Sequence, residues 1–338
     1  MAVQPSRDAL WRKRIGAMQR VWAKARSGDQ AAVHQLRVAS RRIREALPVI
    51  SDAQRSPRVK RTRRKVRALT RLLGVIRERD VSLSLLAALE KDHSEDRPAI
   101  AAVREATVAE RQVLHDDLGK RLDPVKLEKL VEKLTRVAGR AKPANGQRRR
   151  GRRRDASEDR KWQLGIAARV VRRAKQLRQA IEHAGALYAP GRLHGVRVST
   201  KKLRYALELG HEARIHGWQS GIRALKEIQD ILGQLQDREA LVERVRDVDV
   251  SHSDNSASAA VDRLTRLLEG NIRRDHAKFV SRRDRLLELC AMVRQQASRA
   301  IPIGRPAPTR VTLRPTQRGA PNAAAALGTR RAAKQEAR

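Results

Sequence analysis

Two stretches of this chain pair a histidine with guanidiniums at helical spacing. The first is His34-x-x-Arg37-x-x-x-Arg41-Arg42-x-Arg44. The second, 160 residues on, is His194-x-x-Arg197-x-x-x-Lys201-Lys202-x-Arg204. At ~100° per residue, His34, Arg37, Arg41 and Arg44 fall within roughly 80° of one another on a helix. Leu36, Ala39, Ile43, Leu47 and Ile50 form a separate apolar stripe. The second stretch has the same wheel, with Leu203 and Leu207 on its apolar side. One face therefore enters a core while the next holds cations and an imidazole. Guanidinium presents a planar fork that pairs with phosphate oxygens, and Lys acts as a point charge. A nearby polyanion favours the protonated imidazole, so binding should tighten as pH drops towards about 6.

A second basic row follows each motif. Lys60, Arg64, Arg67 and Arg71 share one helical face, and Arg223 and Lys226 occupy the places of Arg64 and Arg67. Asp230 replaces Arg71. If these helices pack beside the histidine helices, the rows line one basic groove. From Arg37 to Arg79 there are fifteen bases and three acids, against eight and five from Arg197 to Arg238. The first half should supply more of the attraction. Another block also recurs: Leu72-Leu73-Gly74 with Arg77-Glu78-Arg79-Asp80 returns as Ile231-Leu232-Gly233 with Gln236-Asp237-Arg238-Glu239. Two blocks recurring in the same order at nearly the same distance read as duplicated modules, related by a pseudo-twofold axis.

The elements that must carry these residues are helices. Among the 338 residues aromatics are only 2%, while hydrophobic residues reach 40%, enough for an aliphatic core. Helical periodicity runs over 7–27, 30–50, 56–78, 80–92, 97–118 and 124–138, then 158–186, 191–212, 217–235, 237–248, 257–279 and 282–299. No alternating strand pattern interrupts it, so the expected class is all-α. Residues 7–138 make a first helical half and 158–300 a second. Residues 139–157 read as a basic disordered linker, and 301–338 as a disordered basic tail.

Lys and Arg number 76 against 37 Asp and Glu, a net charge of +39. Most of that surplus lies on the helical segments, not in the linker and tail. Polyanions are therefore the expected partner class: nucleic acid, inorganic polyphosphate or an anionic membrane surface. Cys290 is the sole cysteine, which excludes an internal disulfide and reads as a buried thiol. No secretory signal and no apolar run of membrane-spanning length is seen, so the expected location is cytoplasmic. There is no Walker-type loop, no nucleophile elbow and no Glu-x-Glu-x-Lys strand. No metal, cofactor or catalytic activity is expected. His93, His115, His183, His211, His216, His252 and His276 read as structural, Trp11, Trp22, Trp162 and Trp218 as core, and Asp80 as the cap of a following helix.

The doubled His-x-x-Arg motif with its trailing basic pairs resembles the conserved histidine α-helical domain (CHAD) family. The Leu73-Gly74 to Asp80 block is similar to that family's Leu-Gly-x-x-Arg-Asp-x-Asp element, and the resemblance spans roughly residues 7–300. It implies two antiparallel four-helix bundles around a basic central cavity. It also implies binding of inorganic polyphosphate without catalysis and, in bacteria, association with polyphosphate granules. The family's basic stripes carry over onto His34, Arg37, Arg41, Arg42, Arg44, His194, Arg197, Lys201, Lys202 and Arg204. In the second block Gln236 stands where Arg is expected and Glu239 where Asp is, which weakens the expectation of a loop contact there. The alternative is a nucleic-acid-binding basic helical protein, aided by the linker and tail. The lack of a base-stacking platform and of a recognisable nucleic-acid fold speaks against it.

Overall fold

Local sequence starts the helices cleanly. Asp29 accepts a hydrogen bond from the Ala32 amide at 2.6 Å and caps the helix that carries His34. Ser56 accepts from the Arg58 amide at 3.3 Å, with Pro57 at the first helical position. Pro190 opens the helix that carries His194 in the same way. The computed structural model describes residues 5–51, 56–138, 148–247 and 255–300. Among these it has ten α-helices and no strand: α1 (Arg7–Arg26), α2 (Gln30–Ile50), α3 (Pro57–Asp92), α4 (Arg97–Arg121), α5 (Pro124–Ala138), α6 (Arg148–Ala184), α7 (Pro190–Glu212), α8 (Gln219–Arg246), α9 (Asn255–Val280) and α10 (Arg283–Arg299). The fold is all-α, as expected.

Three boundaries differ from the sequence reading. The stretches 56–78 and 80–92 form one helix, α3, and 217–235 joins 237–248 in α8. The breaks expected at 79 and 236 are absent, and Gly74 and Gly233 lie inside these helices. Asp80 caps nothing: it lies within α3, 1% exposed, and accepts from Arg111 Nε of α4 at 2.7 Å. The third difference is α6, which begins at Arg148 inside the expected linker. Arg is a good helix former, and like-charge neighbours cost only a few tenths of a kcal/mol per pair. Residues 139–147 and the tail 301–338 lie outside the described residues.

The sequential pairs α1–α2, α2–α3 and α3–α4 pack together, as do α6–α7, α7–α8 and α8–α9, with α10 against α6. Two cores result, and each draws on helices from both halves. The first joins α1, α2, most of α3 and the end of α4 to Trp162 and Ile166 of α6 and Leu209 of α7. The second joins α6 to α10 with Leu86 of α3 and Ile100 and Val103 of α4. The apolar stripe of α2 is buried as the wheel requires, with Leu36, Ile43, Leu47 and Ile50 at 0% exposure. The four tryptophans are core residues. Trp11 Nε1 donates to the Leu134 carbonyl at 2.9 Å, and Trp22 Nε1 to that of Leu122 at 2.8 Å. Cys290 is buried, and burial pushes its thiol up to about 12. Across the halves, α2 packs on α7 and α3 on α8, which brings the two histidine helices face to face.

Candidate anion-binding site

Gly74 and Gly233 each lie against an arginine of the neighbouring histidine helix. A methyl on Gly74 would stand 3.4 Å from Arg37 Nη2, and one on Gly233 would stand 3.7 Å from Arg197 Nη2. Each guanidinium lies over a helix backbone bared by the missing Cβ. An alanine methyl would fit there in ordinary contact, and only a larger side chain would displace the guanidinium. The same arrangement occurs in both halves, between α2 and α3 and between α7 and α8. The Nε atoms of Arg37 and Arg197 are buried and have no hydrogen-bond partner.

Around these two arginines a cluster of cations forms from three helices, α2, α3 and α7. Arg37 feels Arg41 of its own helix and Arg197 of α7. Burial first, and these like charges second, push its guanidinium down to about 10. Lys201, one turn beyond Arg197, is pushed down to about 6 by burial and then by Arg197, Arg41 and Arg37. Arg77 of α3 completes the group. His34 is exposed but titrates below its usual value, through burial of part of its ring and the charges of Arg77, Arg37 and Arg41. One carboxylate, Asp237 of α8, shares this space, with its Oδ1 3.7 Å from Arg197 Nη2. Burial raises its pKa despite the opposing pull of Arg197, Lys201, Arg77 and Arg37.

Gln236, at the position where the motif expects Arg, is a working part of the second half. Arg197 Nη1 donates to Gln236 Oε1 at 2.5 Å, which orients the amide. Gln236 Nε2 then donates to His194 Nδ1 at 2.8 Å, so the neutral ring carries its proton on Nε2. The contact comes from a helix, not from the loop that was expected.

The structure divides the expected site residues into three groups. His34, Arg37, Arg41, Arg197 and Lys201 meet in the cluster, with His194 joined through Gln236. Arg44 lies further along α2, where Arg41, Arg67 and Arg63 surround it and burial lowers its pKa. A second group holds the fold. Arg42 Nε donates to Glu208 Oε2 at 2.9 Å, and Arg204 lies 3.7 Å from the same carboxylate and 5.0 Å over the Tyr205 ring. Lys202 stands beside Arg173, Glu45, Arg44 and Arg169. Glu45 receives Arg169 Nε at 2.6 Å and Arg173 Nε at 2.9 Å, tying α2 to α6. Arg42 finds Glu208 166 residues on, across the α2–α7 contact, whereas for Arg204 the same carboxylate is one turn along α7. The third group is exposed: Lys60, Arg64, Arg67 and Arg71 along α3, and Arg223 and Lys226 along α8.

Sequence reasoning named Arg77 and Asp237 only as parts of a repeated block and did not place them in the site. Their signal was their spacing: each follows its glycine by three or four residues, about one helical turn. His93, Glu95 and Asp96 also converge, but Asp96 accepts from Arg263 Nε at 2.9 Å and Glu95 is exposed. Among the described residues no helix is long and apolar enough to cross a membrane.

A family model for the CHAD domain matches residues 9–246. No curated protein matches the chain. Among solved structures, the crystal structure of the CHAD domain from the plant Ricinus communis is similar, with a TM-score of 0.50. The likeness covers 88% of this chain and 94% of that one at 18% identity, and so speaks to the fold alone.

Proposed function

This chain belongs to the CHAD domain family, and from that premise we propose that it is a non-catalytic binder of inorganic polyphosphate, associated with polyphosphate granules in the cytoplasm. The observation that carries the reading is the cluster itself. Arg37, Arg41 and Arg77 from the first half meet Arg197 and Lys201 from the second, with Asp237 among them and Glu239 near Arg197. Such a group stores repulsion, and a linear anion with one charge per phosphate relieves it. Arg37 and Arg197 offer buried, unpartnered Nε donors to such an anion. His34 and His194 flank the cluster, and Arg44 with Arg67 continues the track along α2 and α3. The exposed Lys60, Arg64, Arg71, Arg223 and Lys226 add weaker, salt-screened attraction. Arg42, Lys202 and Arg204 take part from the edge, since carboxylates already engage or neighbour them. The paired glycine–arginine contacts support reading the two halves as duplicated modules, with a basic linker and tail outside them.

The test is the double reversal Arg37→Glu with Arg41→Glu. Polyphosphate affinity should be lost while the helical circular dichroism is kept. Arg41→Gln alone, whose side chain makes no hydrogen bond among the described residues, should weaken binding without touching the core. Unchanged affinity in both variants ends the reading. Log affinity should fall linearly with log salt. Competition with duplex DNA at matched phosphate concentration separates the readings, because preference for the duplex would favour nucleic-acid binding.

A further inference from the structure

Lys201 is set among charges of its own sign. Arg197 lies one turn away on α7, and Arg37 and Arg41 face it from α2. From α8 it faces Asp237, which also has Arg77 of α3 in reach. On α6 the cations Arg169 and Arg173 are held by Glu45 and bear on Lys202. On α9, Asp275 is taken by Arg238 and Lys278. Among the described residues Lys201 makes no salt bridge and no hydrogen bond, and it has no further partner. The amine has a cationic surround and one shared carboxylate.

A bound anion changes both groups in the same direction. It offers the Lys201 nitrogen the counter-charge it lacks, which favours the ammonium. It repels the Asp237 carboxylate, which favours the acid. Each change takes up a proton from solvent. The histidines are less well placed to do this: His34 lies at the exposed edge, and Gln236 already occupies the His194 Nδ1 that would have to gain the proton.

We infer that capture of a polyphosphate chain between α2 and α7 is coupled to proton uptake at Lys201 and Asp237, and that these residues, not the histidines, set the pH dependence of binding near neutrality. The inference rests on the polyphosphate-binding reading and names the groups that regulate that site. With Lys201 pushed down to about 6 by burial and its cationic neighbours in the free protein, the amine is mostly neutral at pH 7, so binding takes up a proton there. Affinity then weakens by up to about tenfold per pH unit above 6, until the pKa in the complex is reached. Asp237 adds uptake on the acid side of that window.

Isothermal titration calorimetry with long-chain polyphosphate, at pH 7 in two buffers of different ionisation enthalpy, reads the uptake directly. The wild-type heats should differ by a large fraction of the difference in buffer enthalpies. Lys201→Arg carries a permanent charge and should bind with little uptake and a flatter pH profile. Lys201→Met should bind more weakly, also with little uptake, and a thermal melt checks that each variant folds. Asp237→Asn should bind more tightly at pH 7 than wild type. Equal wild-type heats in the two buffers, or full uptake retained in Lys201→Arg, overturns the inference. Absence of any binding heat in the wild type would instead remove the polyphosphate reading beneath it.

Discussion

Replacing Glu45 with glutamine should weaken the fold while strengthening the field at the site. Glu45 is 6% exposed on α2, and Arg169 of α6 is 4% exposed. The carboxylate takes Arg169 Nε at 2.6 Å on one oxygen, with Arg173 Nε at 2.9 Å on the same oxygen and Arg173 Nη2 at 3.1 Å on the other. Glutamine keeps the size and one acceptor but removes the charge, leaving two guanidiniums uncompensated. Removing one partner of a buried pair costs about 3–5 kcal/mol. The remaining amide oxygen and the 2.7 Å bond from Arg173 to Gln176 place this case near the low end, at about 3 kcal/mol. Urea unfolding reads that loss. Combining Glu45→Gln with Arg169→Met should cost less than the two singles together, because the second change removes a stranded charge. Burial alone would raise the Glu45 pKa, but the two guanidiniums hold it below the ordinary carboxylate value. Its contribution is therefore present above the unfolded pKa of about 4.3 and disappears as pH falls through the lower folded value. That acid limb should be missing in the variant. Arg169 and Arg173, freed beside Lys202 and Arg44, should also tighten polyphosphate binding. A loss under about 1 kcal/mol, or additive singles, would refute the view that this carboxylate clamps α2 to α6.

Other perturbations test other parts of the structure. A Cβ at Gly210 would lie 2.2 Å from Trp218 Cζ3 in the second core. Gly210→Ala should lower stability by about 1–3 kcal/mol, seen as a drop in thermal midpoint. Gly74→Leu should expel the Arg37 guanidinium from its seat, and its binding loss in a filter assay should match that of Arg37→Gln while helicity is kept. Lys201 titrates at about 6 in the folded chain against about 10.4 unfolded, so the unfolded state binds more protons between these values. Its contribution to stability should therefore rise with pH across that window, and Lys201→Met should flatten the rise in urea midpoints.

The periodic parts of this fold were legible because helix packing repeats locally. The α2 wheel separated Leu36, Ile43 and Leu47 from Arg37 and Arg41, and the structure buries the first set against the core and aims the second at α7. The breaks expected at 79 and 236 misled because one continuous helix buries apolar residues on both sides of each. Asp80 misled because Arg111, 31 residues away, claims it. The pairing of Arg42 with Glu208 spans 166 residues and has no local signature. A sequence wheel counts the cations on a face but not the carboxylates that a distant helix will bring to them.

That distinction bears on why the cluster exists at all. An excess of bases could place cations at random, with acids shared out among them. Three acids stand instead at the joints between the halves. Glu45 clamps α6, Glu208 holds Arg42 across the α2–α7 contact, and Glu212 at the end of α7 lies 3.3 Å from Arg14 Nη2. Arg14 is 4% exposed and also donates to the Arg42 carbonyl at 2.8 Å. The halves are therefore bound together beside the cluster by paired charges, and the centre keeps Arg37, Arg41, Arg77, Arg197 and Lys201 around one aspartate. Burying a cation without a partner is costly, and the fold bears that cost at the one place where both histidine helices face each other. The clamps make it bearable, because they fix α2 against α7 and prevent the like charges from separating. A chain that needed only a positive surface could have left all of these residues on the exposed side of α3. Their burial between two clamped helices is what a site for an extended anion requires, and what a merely basic surface does not explain.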